Sequence, residues 1–313
     1  TQLKNSLALE LSDVDAIHIM PGTPHPIRAD NAKIISTAEL LDMVRQVDYI
    51  KLDSSEPIGV IDKMIVTKDK IYILDCYTAQ QIFVFDKTGN LLFRIKNKGR
   101  GPKEYLSVAD MQVDTIRNEI LVNDALARSY LYYSTDDGTF LRREKEIANC
   151  YLARIDSLYI NLTGVGQDFN DNENWAIIIS DKDSVLFKGF EPTPLQNDDF
   201  IINSFTYDRN GNLLYTPVYS DTVYRFCVVE PEYVICQEKS VWRRHDEKIS
   251  YQEVKKLILE NNYTRYGGKF YDMEKYAYFE IGREEDEYVV PISCFWNKQT
   301  DMVYAWSSKG WSE

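Results

Sequence analysis

Two stretches of this sequence are copies of one another, and a chain that repeats itself folds as an array of similar units. The first copy is KIYILDCYTAQQIFVFDKTGNLLFRI, Lys70 to Ile95, and the second is EILVNDALARSYLYYSTDDGTFLRRE, Glu119 to Glu144. They align without a gap from Tyr72 with Leu121, through Asp75 with Asp124, to Gly89 with Gly138, at a constant spacing of about 49 residues. Each copy has the same grammar: an apolar run ending in Asp, a polar break, a second apolar run, a turn and a third run.

In the first copy Ile71, Ile73, Ile82, Val84, Leu91 and Phe93 fall on alternate positions, as a pleated strand with one buried face requires. The turns carry Thr88-Gly89-Asn90 and Asp137-Gly138-Thr139, with Gly89 and Gly138 supplying the positive φ of tight hairpins. Each copy therefore predicts three antiparallel strands. A shorter apolar segment before each, Val60 to Val66 and Val108 to Val113, supplies an innermost fourth. A four-stranded unit recurring every 40 to 50 residues or so is a propeller blade, which buries its faces only by stacking on neighbours.

Between the copies stands the most distinctive short motif, Lys98-Gly99-Arg100-Gly101-Pro102-Lys103-Glu104-Tyr105. A G-R-G-P-x-E-Y run placed after IFVFDKTGNLLFRI and before VADMQVD resembles the six-bladed β-propeller proteins common in Bacteroidetes, distant relatives of the NHL-repeat and TolB-like propellers. The resemblance is strong over Val47 to Leu141 and extends to VDYIKLDSSEPIGVIDKMIV and, more loosely, LLYTPVYSDTVYRF. It implies six blades and an extracytoplasmic setting, periplasmic or at the outer membrane. Members typically carry lipoprotein-type signals, which implies a lipid anchor upstream of residue 1. It implies no particular activity.

A net charge of −13 without a Lys/Arg run argues against nucleic acid, whose phosphates need a basic footprint. No segment approaches the ~18 apolar residues of a membrane span. The cysteines, Cys76, Cys150, Cys227, Cys236 and Cys294, form no C-x-x-C pair and lie in or beside apolar strands, so they read as buried free thiols.

Before the repeat, residues 1–46 read as an N-terminal segment that closes the ring by pairing with the last blade. Ser36 and Glu39 have capping-box spacing ahead of a short helix over 37–46, and Val47 to Leu52 resumes strand character. After the second copy the pattern weakens. Tyr151 to Thr163, Trp175 to Ser180 and Val185 to Phe190 make a third blade. Ile201 to Val228, with its Asp208-Arg209-Asn210-Gly211-Asn212 turn, and then Tyr233 to Gln237 make a fourth. Ser250 to Asn262 breaks the alternation: Ser250 and Glu253 cap a helical insertion, and Gly267-Gly268 lie beyond its end. YAYFEIG, PISCFWN and MVYAWSS give a fifth blade and part of a sixth. The expected fold is thus all-β, a single six-bladed propeller domain over residues 1–313 with four-stranded antiparallel blades, a short N-terminal helix and one helical insertion over 250–262.

Catalytic signatures are sparse. His18, His25 and His245 lack metal-ligand spacing, and there is no G-x-S-x-G or phosphate-cradling glycine loop. Asp75 and Asp124, equivalent by repeat, read as a shared structural device such as a capped turn. Asp62 and Asp110, in the innermost strands, are candidates to face a ligand in the channel, or else to bond across neighbouring loops. The Gly99-to-Tyr105 loop is the better binding candidate. Gly99 and Gly101 allow a sharp turn, Pro102 stiffens it, Arg100 offers a planar fork for a carboxylate or sulfate, and Glu104 and Tyr105 add an acceptor and a ring. The alternative is that Arg100 and Glu104 are tied to each other or to the next blade. The tyrosine clusters, Tyr130-Tyr132-Tyr133 and Tyr263 to Tyr278, read first as sheet packing and second as stacking platforms.

These features point to a non-enzymatic binding or scaffold protein that recognises a glycan, a peptide or an envelope protein through inter-blade loops, with no cofactor. The alternative is a carboxylate-dependent lactonase, polysaccharide lyase or glycosidase in the channel, with room for a calcium ion.

Overall fold

The computed structural model describes residues 13–145, 150–155, 157–163, 175–190, 205–217, 220–226, 229–237, 256, 260, 264–285 and 288–308. Three short strands come first: β1 (Asp15–Ala16), β2 (His25–Arg28) and β3 (Lys33–Ile34). Helix α1 (Thr37–Met43) follows. Its capping box forms as expected, with Glu39 N–H donating to Ser36 Oγ at 3.2 Å and Ser36 N–H to Glu39 Oε2 at 2.8 Å. The helix stops at Met43, short of the expected 46, because it buries no residue and so has no packing to carry it past β-branched Val44.

The remaining strands form blades in chain order. Blade 1 is β4 (Lys63–Val66), β5 (Lys70–Asp75), β6 (Gln81–Asp86) and β7 (Leu91–Ile95). Blade 2 is β8 (Asp110–Asp114), β9 (Glu119–Asp124), β10 (Ser129–Ser134) and β11 (Phe140–Lys145). Blade 3 is β12 (Cys150–Ile155), β13 (Leu158–Thr163), β14 (Ile177–Ser180) and β15 (Val185–Gly189). Blade 4 is β16 (Phe205–Tyr207), β17 (Leu213–Tyr215), β18 (Thr222–Arg225) and β19 (Glu230–Cys236). Blade 5 is β20 (Thr264–Asp272), β21 (Tyr276–Glu285), β22 (Tyr288–Asn297) and β23 (Met302–Trp306).

Among the described residues there are thus five blades, not six. The C-terminal runs expected to begin a sixth blade belong to blade 5, and the N-terminal strands add no blade of their own. Those strands instead lie parallel on the outer edges of blades that are already complete: β1 on β15, β2 on β19 and β3 on β23. Blades 3, 4 and 5 are five-stranded for this reason, and blades 1 and 2 are four-stranded. Residues 47–52 form no strand; they are fixed beside blade 1 by Asp53 N–H on the Gly89 carbonyl at 2.7 Å. The helical insertion expected over 250–262 lies outside the described residues except Lys256 and Glu260, both helical.

The chain divides into two compact units, residues 1–16 with 48–189 and residues 17–47 with 190–313. Within the first, blades 1 and 2 pack face to face: Tyr72, Leu74, Ile82 and Val84 meet Met111, Ile120, Val122 and Leu131 in one buried cluster. Blade 2 meets blade 3 through Leu121, Tyr130 and Tyr132 against Tyr159. Within the second unit Leu214, Val223 and Ile235 of blade 4 pack with Phe270, Phe279 and Ile292 of blade 5, and Ile27 of β2 is buried among them.

Candidate functional site

The two ends of the blades differ. At one end the strands turn back tightly, and an Asx carboxylate or amide closes the turn. Asp86 accepts from Thr88 and Asn90 N–H, both at 2.9 Å; Asp208 accepts from Asn210 and Asn212 N–H, both at 2.8 Å; and Asn297 accepts from Gln299 N–H at 3.0 Å. Gly89 belongs here, at φ 92, where a Cβ would fall on the Lys51 carbonyl oxygen; Gly138 takes the same role at φ 72. The other end carries the connections between second and third strands and those from one blade to the next, of which the one between β7 and β8 is 14 residues long. Long connections on a rigid scaffold are where binding groups gather.

At that end of blades 1 and 2 three loops are stitched together. The Asp75 carboxylate accepts four backbone N–H groups: Gly59 at 2.7 Å and Val60 at 3.1 Å from the loop entering the blade, Thr78 at 2.9 Å and Ala79 at 2.8 Å from its own turn. Burial acts to raise its pKa, but these donors outweigh burial and hold the carboxyl below its ordinary value. Asp124 stitches the loops of blade 2 together in a similar way, accepting from the N–H groups of Leu106 at 2.7 Å, Ser107 at 3.0 Å and Ala127 at 3.1 Å.

The Gly99-to-Tyr105 loop is held from inside. Tyr105 is fully buried, and its hydroxyl donates to the Gln80 carbonyl at 2.7 Å, tying this loop to the polar break of blade 1. Burial raises its phenol pKa, so it stays a neutral donor. Glu104 folds back to accept from Gly101 N–H at 2.7 Å, and a Cβ on Gly99 would fall on the Glu104 carboxylate and push it from that position. Arg143 of blade 2 holds the Glu104 carbonyl. Pro102 is exposed at the tip. Arg100 is exposed and makes no hydrogen bond or ion pair to any described residue, so its guanidinium stands clear of a loop fixed on both sides.

Asp62 and Asp110 do lie in or beside the innermost strands, but both are engaged. Asp62 accepts from Cys76 N–H at 2.7 Å and Tyr77 N–H at 3.3 Å. Asp110, only 3% exposed, accepts from Lys63 Nζ at 2.7 Å. Lys63 pairs with Leu74 and Asp110 with Asn123, and Leu74 and Asn123 are repeat-equivalent. One position of the repeat thus holds a cation in blade 1 and an anion in blade 2, joined across the blade boundary. The Cys76 thiol beside them is pushed up to about 12, by burial first and then by its hydrogen bond to Asp62, and remains protonated at neutral pH.

Two exposed groups at this end escaped the sequence reading. Tyr77 (67% exposed) and Leu126 (72%) stand in the breaks just after Asp75 and Asp124, and Leu126 N–H donates to Ser107 Oγ at 3.2 Å. The available signal was a large side chain in each otherwise polar break. Tyr130, Tyr132 and Tyr133 are buried packing groups. Tyr132 and Tyr159 share the Glu144 carboxylate, which Arg142 also holds at 2.7 Å. Among the described residues no three His, Cys, Asp or Glu side chains converge as a metal-holding group.

Solved structures resemble this chain in fold. A "putative exported protein" of Bacteroides fragilis matches with a TM-score of 0.66 and 17% identity over 91% of this chain and 80% of its own. A member of the DUF4221 family from Bacteroides vulgatus matches with a TM-score of 0.50 and 11% identity over 78% and 79%. No curated protein matches the sequence. The profile of a family described as a domain of unknown function, DUF4934, matches residues 27–313.

Proposed function

The chain belongs to the DUF4934 family, and from that starting point we propose that it is a non-enzymatic binding protein of the bacterial cell envelope, which recognises a glycan, a peptide or a protein partner on the loop-bearing end of blades 1 and 2. The observation that carries this reading is Arg100, an exposed guanidinium without a described protein partner, on a loop immobilised by Tyr105, Glu104 and Arg143. A planar cation pre-set in this way takes a carboxylate or sulfate without the entropy cost of ordering its loop. Tyr77 and Leu126 add ring and aliphatic surface on neighbouring loops, the combination that sugars and peptide side chains stack upon.

The carboxylates favour binding over turnover. Asp62, Asp75, Asp110 and Asp124 all accept from protein donors, whereas general acid–base work needs a carboxyl that can reach a substrate proton. The extracytoplasmic setting is supported by the fold shared with an exported protein and by the resemblance of the Gly99-to-Tyr105 motif. No helix among the described residues is long and apolar enough to cross a membrane.

The test is a glycan and peptide array with the intact protein and with Arg100→Glu and Tyr77→Ala. Retained ligands that lose about tenfold or more in affinity with Arg100→Glu support the reading. Turnover of lactones or uronic-acid oligosaccharides by the wild type, abolished in Asp62→Asn or Asp110→Asn, overturns it in favour of the lactonase, lyase or glycosidase alternative.

A further inference from the structure

A second feature lies in the other compact unit and is independent of the loop end of blades 1 and 2. The N-terminal strands β2 and β3 and the 3-10 turn between them, Ala29–Asn31, form a strap along the outer edges of blades 4 and 5. Beneath them is a cavity of about 250 Å³. Its apolar wall is Ala32, Ile281, Ile292 and Ala305.

Four polar residues also line it, Thr264 with its hydroxyl and three others whose states differ. The Asp30 carboxylate is gripped by Arg28, from Nε at 2.9 Å and Nη2 at 2.7 Å, so it offers no uncompensated charge. The Cys294 thiol is buried, which pushes it up to about 12 and keeps it neutral. Gln237 is the exception. It is 4% exposed, its Nε2 donates to Asp221 Oδ1 at 2.6 Å, and its Oε1 has no hydrogen-bond partner among the described residues. The bond to Asp221 fixes which way the amide points, because a carboxylate accepts only from the nitrogen. A buried amide oxygen without a donor is costly, and a donor arriving from the cavity removes that cost.

We propose that this cavity is a binding site for a small, neutral, largely apolar molecule carrying one N–H or O–H donor, which bonds to Gln237 Oε1 while its body packs on Ile281, Ile292 and Ala305. The size is apt: an apolar cavity of roughly 150 Å³ already takes benzene, and about 250 Å³ admits a bicyclic ring. The one charge in the wall, Asp30, is already paired with Arg28, so the cavity offers little to an ion, and the unsatisfied Gln237 Oε1 sets the orientation of the guest.

The test uses indole as the probe and the full chain with labelled isoleucine methyls, followed by NMR. Indole is expected to shift the Ile281 and Ile292 methyls saturably while Ile73, in blade 1, stays still. Gln237→Met, which keeps the length and removes the acceptor, is expected to weaken binding about tenfold. Ala32→Leu, which fills the cavity from the strap side, is expected to abolish it, with the wild-type methyl spectrum elsewhere reporting an intact fold. Absence of a saturable shift means that only solvent occupies the cavity and overturns the proposal. Undiminished affinity in Gln237→Met overturns it too, since the cavity would then be a non-specific apolar hole.

Discussion

In blades 1 and 2 a buried aspartate at the end of the second strand grips the incoming loop, Asp75 through Gly59 and Val60 and Asp124 through Leu106 and Ser107. In blade 4 the corresponding residue is Thr216, buried, with its hydroxyl 3.4 Å from that of Tyr266 in blade 5, and the blade gains an outer parallel strand, β2. The same four-stranded unit is therefore secured in two ways: from within, by one carboxylate serving several N–H groups, or from outside, by a strand distant in sequence. The first is local and repeats with the sequence. The second is not local, and it relieves the blade of keeping the aspartate, which is why the written repeat fades after blade 2 while the strands continue.

This contrast can be broken or sharpened by substitution. The largest effect is expected at Ile27, fully buried between β2 and both blades of its unit. Ile27→Asp places an unpaired charge in that cluster and should cost about 4 kcal/mol or more. Hydrogen exchange should then show blades 4 and 5 opening before blades 1 and 2; simultaneous opening would mean that the strap is not what secures them. Next come Asp75→Ala and Asp124→Ala, each of which orphans several N–H groups and should cost about 2–4 kcal/mol in denaturant melts. Thr216→Ala in blade 4 should cost under about 1.5 kcal/mol. Equal losses at all three sites would erase the distinction between the blades.

Acid offers a subtler probe. Asp75 titrates below its ordinary value in the folded protein, despite burial, because of its four N–H donors. Its contribution is therefore complete above the unfolded value near 3.9 and fades as pH falls through the lower folded value. Wild-type stability should drop faster than that of Asp75→Asn below about pH 4, and parallel acid limbs would show that the grip does not depend on charge. The smallest effect is expected from Ser36→Ala, about 1 kcal/mol or less, because it frays a helix that buries nothing.

How much of this could be read from the sequence follows from the same division. Blades 1 and 2 were legible because Asp75 and Asp124, and the Asx turns at Asp86 and Asp137, are single residues with local jobs. That the N-terminal segment pairs with the last blade was legible, as β3 on β23 shows, but the strap strands themselves were not, since β1 and β3 are two residues long and carry no alternation, and a parallel edge pairing leaves no mark within the strand itself. Gly267-Gly268 were read as lying past a helix end, yet they sit inside β20, where Gly268 at φ 77 accompanies a register shift between Tyr266 and Phe270. A glycine pair tolerates either use, and only the partner strand decides. At the loop end the motif around Arg100 marked a sharply turning loop, but the direction of each side chain depended on residues elsewhere in the chain, Gln80 for Tyr105 and Arg143 for the Glu104 carbonyl.

The strap also sets an order of events during synthesis. Lys33 and Ile34 pair with Tyr304 and Ala305, so these residues wait for a partner made about 270 residues later. Every ribosome translating this message must carry β2 and β3 as bare backbone until blades 4 and 5 exist, and closing so long a loop is a slow step. What leaves the ribosome early is therefore fastened late, and any factor that shields a nascent β-edge has its longest task on residues 25–34.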